Sequence, residues 1–150
     1  FAVLPPANVF EPVDTARKAW LDGKTSAAKL PTAKWSTQEW LHFLDNMPAA
    51  LPRAKLDELD QAYALTNAKN AEVAHSWFRV AIRNGYEPAY PQLERYLTEI
   101  VRRKLIRPLY EDLMKTPQGA ERARQIYAKA RPGYHPIAVT TLDGIVNAKR

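Results

Sequence analysis

The sequence predicts an all-α protein built from about eight helices. Apolar residues recur at the three- and four-residue spacing of one helix face along almost the whole chain, while strict apolar–polar alternation is nearly absent. Prolines and glycines mark the breaks between these apolar runs. With 46% hydrophobic and 25% charged residues, the 150-residue chain has the composition of one globular domain that is long enough to bury a core.

The chain divides into an extended lead-in, residues 1–12, and a single helical domain, residues 13–150. Two Pro-containing segments, Leu4-Pro5-Pro6 and Phe10-Glu11-Pro12, indicate the lead-in. The predicted helices cover about 13–22, 36–47, 52–65, 71–83, 88–100, 108–115 and 117–130, and a last one begins at 136. Connections this short favour antiparallel packing of successive helices. No repeat of fixed period is visible, but helix pairs of this length suit a solenoid-like stack as well as a bundle.

The second helix has the clearest start signal in the chain. Ser36 followed by Glu39 has the spacing of a capping box. Trp35 before the cap and Trp40 at the fourth helical position have the spacing of a hydrophobic staple. We therefore expect this helix to begin at 36 or 37 and to direct its apolar face inward.

Turn and cap residues define the later boundaries. Asn84-Gly85 is a natural stop after the helix at 71–83, and Thr116-Pro117 pairs a cap residue with a first-turn proline. Arg131-Pro132-Gly133 breaks the seventh helix, and His135-Pro136 starts the last one. The apolar stripes of the helices include Val13, Trp20, Leu41, Phe43, Leu44, Leu56, Leu59, Val73, Trp77, Val80, Leu93, Leu97, Leu109, Leu113, Ile126, Leu142 and Ile145.

Residues 101–108 are the most unusual segment, because they place four cations in six positions (102, 103, 104 and 107) of a chain whose net charge is only +6. Pro108 disfavours a helical conformation at Arg107 and suits the first turn of a helix. If the residues upstream are extended, Arg102 and Lys104 point the same way, and two such cations can bind one carboxylate or phosphate. A solvated loop that keeps the protein soluble is the simpler interpretation.

The sequence contains no complete catalytic set. It has no cysteine, no Gly-x-Ser-x-Gly and no His-Glu-x-x-His, and its three histidines form no His-x-x-x-His pair, which argues against a helical zinc site. We interpret His42 and His75 as residues at the rim of apolar helix faces, and His135 as a cap of the last helix. Carboxylates such as those of Glu111 and Asp112 are expected on solvated helix faces with nearby cations. The four tryptophans are expected to be packing anchors and not a base-stacking platform.

The basic segment belongs to a longer pattern, Arg-x-Lys-x-x-Arg-Pro-Leu-Tyr-x-Asp-Leu at 102–113. This block resembles the matching stretch in the C-terminal domain of the leukotriene A(4) hydrolase family of zinc aminopeptidases. Leu4-Pro5-Pro6, Trp77-Phe78-Arg79 and His135-Pro136-Ile137-Ala138 are similar to other segments of that domain and occur in the same order. The first 30 residues beyond Leu-Pro-Pro match only loosely.

The resemblance implies an armadillo-like, right-handed α-α superhelix that packs against a catalytic zinc domain and an N-terminal β domain of the same polypeptide. It places the zinc and its general base outside this chain, so that the chain alone is expected to be inactive. It also implies that Arg102 and Lys104 hold the C-terminal carboxylate of a peptide substrate. Arg103 departs from the family pattern, which has an apolar residue there. A cytoplasmic location is expected, with export of bacterial members left open.

Two other functions remain open at this point. One is a helical-repeat scaffold that binds a protein or peptide on a concave face without any catalytic role. The other is nucleic-acid binding through the cations of 102–107, which is disfavoured because charge is balanced along the rest of the chain. Membrane insertion is not expected, since no apolar run approaches the roughly 18 residues that a span requires.

Overall fold

The computed structural model describes residues 10–48, 50–100 and 102–147, apart from the side chains of Lys34 and Arg103. Within these residues the chain forms eight α-helices and no strand, which confirms the predicted fold class. The helices are α1 (Glu11–Leu21), α2 (Thr37–Asp45), α3 (Arg53–Tyr63), α4 (Ala71–Arg83), α5 (Tyr90–Glu99), α6 (Arg103–Leu113), α7 (Pro117–Ala130) and α8 (Pro136–Val146). None of the helices found in these ranges is long and apolar enough to cross a bilayer.

The helices stack in two layers. The even-numbered helices follow one another in one layer, where α2 packs on α4, α4 on α6 and α6 on α8. In the other layer α5 packs on α7, and α7 also contacts both α6 and α8. Packing of each helix on the next but one in sequence is the arrangement of an α-α solenoid. The α4–α6 contact is the most extensive of these, and it positions the start of α6.

The core is made by the apolar faces that the sequence periodicity predicts. Trp20 and Trp77 are fully buried, and Trp35 and Trp40 pack partly buried against the same core. These positions confirm that the tryptophans act as packing anchors. Tyr110 on α6 is also fully buried, and its hydroxyl lies 2.9 Å from that of another buried tyrosine.

The predicted caps are present. The Ser36 hydroxyl accepts a hydrogen bond from the Glu39 amide, and the Glu39 carboxylate accepts one from the Ser36 amide. The rings of Trp35 and Trp40 meet edge to face with centroids 5.0 Å apart, as the staple requires. His135 caps α8, because its Nδ1 accepts a hydrogen bond from the Ile137 amide at 3.1 Å.

Apart from the start of α6, the helix ends lie within two residues of the prediction, and two of the differences have a clear physical cause. Helix α1 begins at Glu11, so Glu11 and Pro12 belong to the helix and not to the lead-in, because proline fits the first turn, where its missing N–H would have no partner. Residues 1–9 of the predicted lead-in lie outside the described residues.

The second difference concerns α6, which begins at Arg103 and not at Pro108. Arg107 is helical and Pro108 lies inside the helix. The local preference of a residue before proline is overridden because Leu105, Ile106 and Leu109 are all buried in this conformation. Burial contributes about 1.5–3 kcal/mol for each such side chain, whereas an interior proline costs about 3 kcal/mol, so packing decides the outcome.

Candidate carboxylate-binding groove

Arg102 and Lys104 lie at the start of α6. Arg102 is the N-cap residue with an extended backbone (φ −74°, ψ 113°), and Lys104 is the second residue of the helix. Their side chains are exposed. The extended alternation that we expected to align them is therefore absent, because the helix starts between them.

A groove nevertheless brings the two cations together. It has a volume of about 300 Å³ and lies between α2, α4 and the start of α6. We call it the α2–α4–α6 groove, and its lining residues are Gln38, Leu41, Asp45, Glu72, His75, Ser76, Arg102, Lys104 and Leu105. Arg102 and Lys104 also line a more open depression of about 490 Å³, together with Arg107 and Pro108.

The start of α6 is electropositive beyond its side chains. The backbone N–H groups of a first helical turn carry a partial positive charge and have no partner within the helix. The N-cap residue, Arg102, has only donor groups and caps none of them, and the first turn contains no acidic residue. Cations at this end of a helix are unfavourable by about 0.3–1 kcal/mol each, and a bound anion would relieve that repulsion.

Both cations are free to bind an anion. Neither Arg102 nor Lys104 lies within 4 Å of a carboxylate of any described residue. Arg107, the other described cation of this segment, instead pairs with Glu111 one helical turn later at 3.5 Å. Among the described cations of this segment, Arg102 and Lys104 thus differ from Arg107, because neither of them forms an ion pair with a described residue.

His75 on α4 fastens this end of α6. Its Nδ1 donates a hydrogen bond to the backbone carbonyl of Leu105 at 2.7 Å, since a carbonyl oxygen can only accept. Burial lowers the pKa of His75 below its usual value, although the bond to Leu105 opposes the shift. His75 is half-buried, at the edge of the apolar face of α4 as we expected. Its imidazole also fixes the backbone of Leu105, the residue that follows Lys104.

A second contact joins α4 to α6 farther along. The Asp112 carboxylate accepts a hydrogen bond from Arg79 Nε at 2.8 Å and one from Lys115 Nζ at 3.2 Å. The Asp112 side chain is only 1% exposed, so the expectation that it lies on a solvated face is wrong. Its partner Arg79 comes from a different helix 33 residues earlier, which no local pattern on α6 indicates.

The sequence did not identify the other residues of the groove. Gln38, Leu41 and Asp45 recur on one face of α2, and Glu72, His75 and Ser76 on one face of α4. These spacings were visible in the sequence. Which helix faces meet at the start of α6 depends on the two-layer packing, and this could not be read from spacing.

The described residues do not fit a zinc site. No group of three or more His, Cys, Asp or Glu side chains in the described ranges is arranged to hold a metal ion.

The geometry defines an all-helical, two-layered domain with a groove that contains two unpaired cations. The model of the leukotriene A4 hydrolase C-terminal domain family matches residues 35–146. The chain belongs to this family. Over 99% of its length it also resembles yeast LTA4 hydrolase in complex with bestatin, with a TM-score of 0.78 at 18% identity, a likeness that concerns the fold alone.

Curated relatives share parts of the sequence. The chain is 33% identical over 87 residues to leukotriene A-4 hydrolase of Xenopus laevis, which covers 58% of this chain and 14% of that protein. It is 30% identical over 121 residues to leucine aminopeptidase 2 of Neurospora crassa, covering 79% and 18%. Human aminopeptidase B is 24% identical over 153 residues, covering 97% and 23%. The chain thus spans about a fifth of the length of these relatives, and 27% of the yeast structure.

Proposed function

We propose that this chain is the C-terminal helical domain of a zinc metallo-aminopeptidase, in which it walls the substrate cavity and binds the C-terminal carboxylate of a peptide. The observation that carries the proposal is the pair of unpaired cations, Arg102 and Lys104, in one groove at the positive end of α6. The names of the relatives support the parent activity, since they include a hydrolase and aminopeptidases.

In this proposal the chain contributes positioning and not bond cleavage. A guanidinium and an ammonium that hold the terminal carboxylate fix how far the peptide extends from the groove, and so set where its N-terminal amide lies. The zinc and the general base belong to the catalytic domain of the same polypeptide, which is a partner of this domain together with the N-terminal domain. The 150-residue chain alone is expected to be inactive, and we expect the parent enzyme in the cytoplasm.

Kinetics of the parent enzyme test the proposal. Charge-assisted contacts contribute about 1.5–3 kcal/mol each, so Arg102→Ala should lower kcat/KM for a tripeptide with a free C-terminus by roughly ten- to a hundredfold. The same peptide with a C-terminal amide should lose much less. Arg124→Ala is the matched control, because Arg124 is an exposed arginine on α7 away from the groove. Equal losses for the free acid and the amide would overturn the proposal.

A further inference from the structure

The wall of the α2–α4–α6 groove that faces the start of α6 carries the opposite charge. Asp45 is the last residue of α2 and Glu72 lies in the first turn of α4, and both line the groove with Arg102 and Lys104. A pocket of about 300 Å³ therefore presents two cations from α6 and two carboxylates from α2 and α4.

These opposite charges form no ion pairs with each other. Among the described residues, neither Asp45 nor Glu72 lies within 4 Å of a cationic side chain. Neither Arg102 nor Lys104 lies within 4 Å of a described carboxylate. The pocket thus keeps an anion-binding part and a cation-binding part separate. A small ligand with one positive and one negative group would form an ion pair with each part of the pocket.

Ser76 adds a polar group to the same groove. Only 3% of this residue is exposed, it lines the groove, and its hydroxyl forms no hydrogen bond with any other residue in the described ranges. A hydroxyl on the groove wall that has no described protein partner can bond a polar ligand atom as donor or acceptor. Ser76 is one residue after His75 and one turn after Glu72, on the wall that carries the carboxylate.

We infer that the groove selects peptides whose C-terminal residue is lysine or arginine. The inference rests on the proposed function: Arg102 and Lys104 hold the terminal carboxylate, while Asp45 and Glu72 bind the cationic side chain of the same residue. The volume supports a single residue, because about 300 Å³ is at the small end of ligand pockets. Ser76 supplies a further acceptor for the side-chain donor groups.

Four substrates of the parent enzyme test this inference: Ala-Ala-Lys, Ala-Ala-norleucine and the C-terminal amide of each. Norleucine keeps the straight aliphatic chain of lysine and lacks its charge. We expect kcat/KM of the wild-type enzyme to be about tenfold higher for Ala-Ala-Lys than for Ala-Ala-norleucine, as one charge-assisted contact implies. The double variant Asp45→Asn, Glu72→Gln should bring this ratio to within about twofold of one.

The control variant is Glu121→Gln, which removes an exposed carboxylate on α7 outside the groove and should keep the tenfold ratio. A wild-type ratio near one, or a ratio that the double variant leaves unchanged, overturns the inference. The comparison of free-acid with amide peptides distinguishes carboxylate binding from selection of the C-terminal side chain. If the free acids are preferred over the amides without any preference for lysine, the inference fails and carboxylate binding stands. If acids and amides react equally, carboxylate binding fails and the inference fails with it.

Discussion

The imidazole of His75 on α4 donates a hydrogen bond to the backbone carbonyl of Leu105 on α6, over 2.7 Å. Leu105 directly follows Lys104, so this bond ties the cationic start of α6 to the helix that carries Glu72 and Ser76. His75 must carry its hydrogen on Nδ1 to make the bond. Through this bond the imidazole links the two walls of the α2–α4–α6 groove.

Replacement of His75 should reveal a stability contribution that depends on pH. Burial lowers the pKa of His75 below its usual 6.5, and nearby Arg79 acts in the same direction, while the Leu105 carbonyl, Asp45 and Asp112 oppose the shift. The unfolded chain therefore takes up this proton at a higher pH than the folded chain. The contribution is fully present above pH 6.5 and is lost as the pH falls from 6.5 toward the pKa of the folded state.

We expect His75→Phe to lower the free energy of unfolding by about 1 kcal/mol at pH 8, where both states hold neutral imidazole. The difference between wild type and variant should shrink as the pH is lowered below 6.5. Urea unfolding followed by tryptophan fluorescence at several pH values measures it. A difference that stays constant from pH 8 to pH 5.5, or grows, would contradict this role for His75.

Removal of the buried Asp112 carboxylate should destabilise the protein much more than removal of its exposed partner Lys115. Its side chain is 1% exposed, whereas Arg79 is 33% and Lys115 62% exposed. Asp112→Asn leaves the Arg79 guanidinium without its charge partner and should cost about 2–3 kcal/mol, somewhat less than for a fully buried pair because Arg79 reaches solvent. Lys115→Met removes only an exposed partner and should cost about 0.5 kcal/mol.

Chemical denaturation of the two variants measures both losses in unfolding free energy. The expected result is a clearly larger fall in unfolding free energy for Asp112→Asn than for Lys115→Met. Comparable falls would mean that the α4–α6 contact does not depend on this carboxylate.

Two glycines in helices should respond to alanine in opposite directions. At Gly144 in α8 an added Cβ would meet nothing within 4 Å, so Gly144→Ala should stabilise the protein by about 0.5–1 kcal/mol through helix propensity. At Gly119 in α7 it would lie 2.2 Å from the Leu113 carbonyl oxygen and 2.8 Å from the Thr116 hydroxyl oxygen. That hydroxyl caps α7 by accepting a hydrogen bond from the Gly119 amide.

Gly119→Ala must therefore displace backbone or break the cap, and we expect a net loss of about 1–3 kcal/mol despite the better propensity of alanine. Thermal unfolding of the two single variants is sufficient, with Gly144→Ala raising Tm and Gly119→Ala lowering it. A stabilised Gly119→Ala would show that the start of α7 is not packed as described.

The sequence predicted those features that depend on neighbours along the chain. The Ser36–Glu39 capping box, the Trp35–Trp40 contact and the His135 cap each involve residues within five positions of one another, and all three are present. The apolar periodicity also placed the helix faces correctly, except that Leu41 lines the α2–α4–α6 groove and does not join the core. These features are local, so one segment contains all the information that they require.

The errors arise where distant segments decide the outcome. Pro108 favoured a non-helical Arg107, but burial of Leu105 and Ile106 against other helices outweighed the local preference. Asp112 has the sequence context of a surface residue, and its burial follows from a partner on α4, Arg79.

The candidate site shows both situations. The cations Arg102 and Lys104 stood out by local charge density. The carboxylates of Asp45 and Glu72 are placed opposite them only because α2, α4 and α6 pack in one layer.

The most direct test of carboxylate binding is an experimental structure of the parent enzyme with a slowly cleaved, free-acid tripeptide bound. We expect the terminal carboxylate of the peptide in the α2–α4–α6 groove, with its oxygens about 2.7–3.2 Å from the guanidinium nitrogens of Arg102 and from the ammonium nitrogen of Lys104. A bound peptide whose carboxylate lies outside this groove and contacts neither side chain would contradict it.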